Sequence, residues 1–234
     1  MTERACIRYR LGAVLLCGLG AAACSPAAST APATAPAPVA ASQPHSDSAY
    51  IARARADSST LPYTQADIDF MTGMISHHAQ AIDMSRMAPT HGASPAVQTL
   101  AERIINAQRD EIRLMQQWLV DRNQPAPEPK AVPMKHKMDG MEHEMWMNGM
   151  LTPEQMQTLD AARGKDFDRL FLTGMIAHHQ GAVQMVTDLF NTEGAANDVL
   201  TNKLAQDVQV DQTTEIARMQ QMLFQLAVET PSSK

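Results

Sequence analysis

From Thr64 onward, apolar residues recur at helical spacing, and the breaks between the periodic stretches carry clear start and stop signals. Thr64 followed by Asp67 resembles a capping box, predicting a helix that runs to Met87, ahead of Pro89 and Gly92. Ser94-Pro95 supplies an N-cap and a first-turn proline for a second helix, which continues to about Asp121 and ends in NQPAPEPKAVP. Thr152-Pro153 with Gln155 opens a third helical region, and Gly164 breaks or bends it. Asn197 is placed to cap a last helix ending near Val228. No stretch shows a convincing strand alternation.

The periodic stretches repeat. Phe70, Gly73, Met74, Ile75, His77, His78 and Met84 recur, at one constant offset, as Phe171, Gly174, Met175, Ile176, His178, His179 and Met185. The following helices match as well: LAERIINAQRDEIRLMQQWL parallels LAQDVQVDQTTEIARMQQML. Each repeat is therefore a helix pair, and two pairs predict an all-α, antiparallel four-helix bundle. The expected organisation is a first pair at 61–123, a connecting segment at 124–151 and a second pair at 152–228, together one bundle domain.

The preceding residues read differently. Arg4, Arg8 and Arg10 precede a short apolar run from Leu11, and Ala21-Ala22-Ala23 precede Cys24. This reads as an export signal over 1–23 with a lipobox-like end, making Cys24 the expected lipid acceptor; ordinary signal cleavage with a soluble periplasmic product is the alternative. Cys6 and Cys17 fall inside the signal, so the processed chain keeps one cysteine and forms no internal disulfide. Residues 24–60 are rich in Ala, Pro, Ser and Thr and read as a flexible tether. A lipoprotein facing the periplasm from the outer membrane is the localisation this implies. The net charge of −6 argues against a nucleic-acid partner.

Candidate chemistry lies on the helix faces. Phe70, Met74, His77 and Met84 fall within about 80° of one another, and Gly73 and Ala81 flank His77 one turn away. Small neighbours leave room for a close helix or a ligand. On the partner helices, Gln108 and Glu111 interrupt an apolar stripe that runs from Leu100 to Trp118, and Gln212 and Glu215 interrupt its copy. A buried carboxylate needs a partner, and the doublet histidines are the obvious ones, directly or through a metal. A His–Glu pair could equally fix helix register with no ligand, and duplication alone would copy it.

Methionine is 17 of 234 residues, an excess beyond core filling. Much of it lies in MKHKMDGMEHEMWMNGM, Met134 to Met150, where Met134, Met138, Met141 and Met145 step by four, three and four, one face if the segment is helical. Thioether and imidazole together suit Cu(I), and imidazole also accepts Cu(II). No di-iron Glu-x-x-His pair, His-Glu-x-x-His, Cys-x-x-Cys, phosphate loop or nucleophile elbow is present.

The two MI-x-HH-x-x-A stretches, each followed by Q-x-x-EI-x-x-M, together with GMLTPEQM and ARGKDFDRLFLTGMIAHHQGAVQM, resemble the bacterial exported proteins of the domain of unknown function 305 family, over about residues 61–228. The resemblance implies a ferritin-like four-helix bundle and, for some members, periplasmic copper binding and copper tolerance. It makes His77, His78, His178 and His179, with Met74, Met84, Met175 and Met185, the candidate metal ligands. Met138, Met141, His143 and Met145 become an exposed capture site, and Glu111, Glu215, Gln108 and Gln212 orient the ligands. The leading expectation is a copper-sequestering or copper-transferring lipoprotein, Cu(I) favoured over Cu(II), with a copper-delivery protein as partner and no catalytic role. A metal-dependent oxidoreductase on the same bundle and a metal-free adaptor are the alternatives.

Overall fold

The computed structural model describes residues 62–138 and 141–229. The expected signal, Cys24 and tether lie outside the described residues. The order of elements is α1 (Gln65–Met87), α2 (Pro95–Asp121), β1 (Met134–Met138), β2 (Met141–Met145), α3 (Pro153–Ala161), α4 (Gly164–Asn191) and α5 (Val199–Glu229).

The helix starts follow local chemistry. Thr64 N–H donates to Asp67 Oδ2 at 2.7 Å, and Asp67 N–H donates back to Thr64 Oγ1, completing the capping box of α1. Ser94 caps α2 with Pro95 in its first turn, and Thr152 with Gln155 forms a second capping box at α3. Gly164, at positive φ, separates α3 from α4, so the third helical region is two helices. At α5 the cap is Asp198 and not Asn197: its carboxylate accepts from Leu200 N–H at 2.8 Å, while Asn197 turns back to the Gly194 carbonyl.

α1 packs along α2, α4 packs along α5, and α1 and α4 face each other as the central pair. The central pair runs antiparallel: Gly73 meets Met185, and Gly174 meets Met84. Two apolar clusters fill the bundle, one holding Phe70, Met74, Trp118 and Val208, the other Met84, Leu100, Phe171 and Met175. The repeats are stapled to each other reciprocally. Asp67 Oδ1 accepts from Ala196 N–H at 2.7 Å, and its counterpart Asp168 accepts from Ser94 N–H at 3.2 Å. Each acidic side chain thus holds the interhelical loop of the other repeat.

The connecting segment corrects the expectation of no strands, and its methionines do not share a helical face. β1 and β2 pair antiparallel, with Met134 opposite Met145, His136 opposite His143 and Met138 opposite Met141. The physical reason is the period-two pattern of Met-x-His-x-Met, written twice, whose register also sets Lys135 opposite Glu144 and Lys137 opposite Glu142. After the hairpin the chain crosses the central helices. Gln80 clamps it there, donating to the Leu151 carbonyl at 2.9 Å and accepting from Leu151 N–H at 2.7 Å. Gly181, the counterpart of Gln80 on α4, has no side chain because the Asn148 carbonyl passes directly over it.

Candidate metal centre

α1 is buried on nearly every side, so each polar group it carries needs a partner inside the protein. Ser76 exchanges hydrogen bonds with the Val132 backbone, and Gln80 holds Leu151. The histidine doublet is handled differently. His77 and His178 meet at the middle of the central helix pair, with ring centroids 3.8 Å apart and planes tilted by 41°. His78 points away toward α2, where its Nε2 donates to Glu111 Oε2 at 2.7 Å. His179 does the same toward α5, donating to Glu215 Oε2 at 2.8 Å. All four imidazoles are fully buried, while Glu111 and Glu215 keep 13% and 17% of their side-chain surface exposed.

The partners determine where the protons sit. A carbonyl or carboxylate only accepts, so His78 and His179 carry theirs on Nε2. His77 does too, since its Nε2 donates to the Asn148 carbonyl at 3.1 Å. The Nδ1 atoms of these three rings have no hydrogen-bond partner, and on His178 neither nitrogen has one. Five buried ring nitrogens are thus left over. Gln108 (both amide atoms) and Gln212 (Oε1) are also buried without partners, one turn before each glutamate. Orphaned buried acceptors are costly in a purely structural core and are what a coordinating site presents.

The electrostatics favour the neutral form of the two stacked rings, His77 and His178. Burial, then the neighbouring His78, pushes His77 down to about 3. Burial, then His77, also holds His178 well below the ordinary histidine value. Outside the His–Glu pairs, a groove of about 370 Å³ runs between α2 and α5, lined by Glu111, Leu114, Asp207 and Asp211 among others. Burial and then Glu111 and Glu215 push the Asp211 carboxyl up. The groove is therefore acidic, and Arg103 offsets its repulsion in part.

The structure brings together some of the expected ligands and separates others. Met74 and Met175 lie in the apolar clusters, and Met84 packs its methyl over Gly174. Met185 instead joins two methionines that the sequence reading did not assign. The Met147 and Met134 sulfurs and the Met185 methyl all lie within 4 Å of the point where a Gly73 side chain would begin. Met141 and Met145 are exposed, at 62% and 53%. The side chains of Met138 and His143 lie outside the described ones. Among the described residues, no three His, Cys, Asp or Glu side chains already converge on one metal position. Asn148 and Gln80 were also missed. The mismatch of Gln80 with Gly181 between otherwise equal repeats was the available signal that something crosses there.

Comparison with known proteins agrees with this architecture. A crystal structure of a family protein described as secreted, from Streptomyces coelicolor, is 28% identical, covers 69% of this chain and 94% of its own, and superposes with a TM-score of 0.58. A fragment from Deinococcus radiodurans is 29% identical over 70% of this chain and 99% of its own, also at 0.58. CopM in its Cu(II)-bound form is 33% identical over 68% of this chain and 96% of its own, at 0.52; its Cu(I)-bound form is 32% identical, at 0.50. No functionally curated protein matches the chain. The family model described as domain of unknown function (DUF305) matches residues 67–223, which places the chain in that family.

Proposed function

We propose that this protein binds copper in the bacterial cell envelope, holding it or handing it on, and so contributes to copper tolerance. The observation that carries the reading is the buried histidine core: four buried imidazoles with five unpartnered ring nitrogens, flanked by carboxylates that orient two of the rings. His77, His78, His178 and His179 are the ligands, Glu111 and Glu215 fix their tautomers, and Gln108 and Gln212 lie beside them. Ligand softness assigns Cu(I) to the methionines and either oxidation state to the imidazoles. Met138, Met141, His143 and Met145 on the hairpin capture the ion first; Met141 and Met145 are exposed enough to do so. Met74, Met84 and Met175, buried on the same helices as the histidines, are the candidate further thioethers. The bound forms of CopM support copper as the ion. The secreted relative supports export, and the sequence before residue 62 supports a signal over 1–23, a lipid on Cys24 and a tether to the membrane. A copper-delivery protein is the partner this role implies.

The test is a competition titration of the purified protein against chromophoric chelators, with Cu(I) under anaerobic conditions and with Cu(II). Binding that competes with the chelator, and that weakens when the four histidines become alanine, supports the reading. Failure to compete for either ion would remove copper, and the histidines would then be bundle architecture.

A further inference from the structure

The two repeats differ in one chemically telling place. Gly73 and Gly174 are counterparts on the central helices, each one turn before a stacked histidine. Each lacks a side chain in a helix interior, where glycine is disfavoured. Each also receives the methyl of a methionine from the opposite helix, Met185 or Met84, 3.3 Å from where its own Cβ would be. Over Gly174 the remaining space is filled by both methyls of Leu151, at 3.3 and 3.4 Å. Over Gly73 it is filled by two sulfurs, Met147 Sδ at 3.4 Å and Met134 Sδ at 3.9 Å. A leucine therefore suffices to cover such a glycine, and the thioethers on the Gly73 side are not needed for packing.

Building on the copper reading, we propose that Met134, Met147 and Met185 form a distinct soft-metal site over Gly73, selective for Cu(I) and Ag(I). Three neutral thioethers suit a soft monovalent ion and give little to a harder divalent one. The absent Gly73 side chain lets the three methionine side chains converge on the helix backbone there. Thioethers carry no titratable proton, so this site keeps its ligands in acid. Its place in the chain gives it a role. Met134 opens β1 directly opposite the exposed Met145, and Met147 is followed by Asn148, whose carbonyl holds His77. The site stands between the outer methionines of the hairpin and the histidine core, as the step through which a captured ion passes inward.

The experiment compares wild type with the triple variant M134L/M147L/M185L and with Gly73→Ala. Leucine preserves volume and apolar character, and thermal unfolding of the metal-free proteins checks that the bundle is intact. Cu(I) and Ag(I) are titrated against a chelator, Cu(II) in parallel, and sulfur ligation is read by X-ray absorption. The triple variant is expected to lose one equivalent of Cu(I) and of Ag(I), with sulfur scattering reduced, while Cu(II) affinity stays within twofold. Gly73→Ala is expected to weaken Cu(I) at least tenfold. Wild-type Cu(I) stoichiometry and affinity in the triple variant would overturn the thioether site while leaving the copper reading intact. Absence of Cu(I) and Cu(II) binding in the wild type would instead remove the copper reading, and this site with it.

Discussion

Replacing Gly181 with alanine sets two physical effects against each other, and their sizes decide the sign. In the interior of α4, alanine should stabilise by roughly 1 kcal/mol through helix propensity alone. The added Cβ, however, would lie 1.8 Å from the Asn148 carbonyl oxygen, 2.6 Å from its carbon and 3.0 Å from Gly149 Cα. Every one of these is backbone, so no flexible tip can swing aside. The crossing segment has little slack, because Gln80 holds Leu151 by two bonds and a Cβ on Gly149 would itself meet the Ala177 carbonyl at 2.3 Å. Relief requires the segment to lift. That gives up both Gln80 bonds and the one from His77 to Asn148. At about 1 kcal/mol each, the loss is roughly 3 kcal/mol, which leaves a net destabilisation of about 2 kcal/mol. At about 2–4 °C per kcal/mol for a domain of this size, the midpoint should fall by about 4–8 °C. Thermal unfolding followed by circular dichroism measures this directly. An unchanged or raised midpoint would show that the connector does not cross α4 at backbone contact.

Other outcomes follow from the same contacts. The metal-free protein should lose stability as pH falls below about 6.5, because burial, then His78, holds His77 at about 3, and burial, then His77, holds His178 well below its ordinary value. The unfolded chain binds protons that the folded chain refuses, so this contribution is complete above about pH 6.5 and is lost from there toward the folded value, by up to about 1.4 kcal/mol per pH unit for each ring. Urea midpoints between pH 7.5 and 5 read it, and a flat profile would mean that the rings accept protons in place. Asp67→Ala should cost about 3 kcal/mol, since it removes the side-chain half of the α1 capping box and orphans the buried Ala196 N–H. Asp168→Ala, which frees only Ser94 N–H, should cost about 1–2 kcal/mol; equal urea midpoints for the two variants would contradict the stapling. Glu111→Gln with Glu215→Gln should weaken Cu(II) roughly 10–100-fold by loosening the tautomers of His78 and His179, and unchanged competition with a chelator would take those rings out of the ligand set.

What the sequence discloses depends on how local its causes are. The start of α1 is legible because Thr64 and Asp67 satisfy each other within one turn, and the start of α2 because Ser94 accepts from Val97 N–H while Pro95 stands where no N–H is needed. The partnering of His78 with Glu111 is nearly as legible, because a carboxylate on an apolar stripe has few places to go. The hairpin was hidden by a coincidence of periods: methionines stepping by four, three and four fit one helical face, yet the intervening Lys and Glu fit a strand, and Asp139-Gly140 between the two runs was the deciding hairpin signal. Asp198 displaced Asn197 as the α5 cap for a reason that is tertiary, since its carboxylate also takes the Trp118 indole N–H across the bundle. The asymmetry of the centre was the hardest to see. Equal repeats predict two equal sites, and nothing within either repeat says that a connector crosses both. It can be inferred only by comparing counterparts, where a clamp, Gln80, stands opposite a gap, Gly181. That crossing ties His77 to Asn148, leaves His178 untied, and brings Met134 and Met147 to one glycine and Leu151 to the other. Duplication can supply a symmetric pair of histidine doublets. The single-copy connector is what makes one end of the pair chemically different from the other, because it brings two sulfurs to Gly73 and a leucine to Gly174.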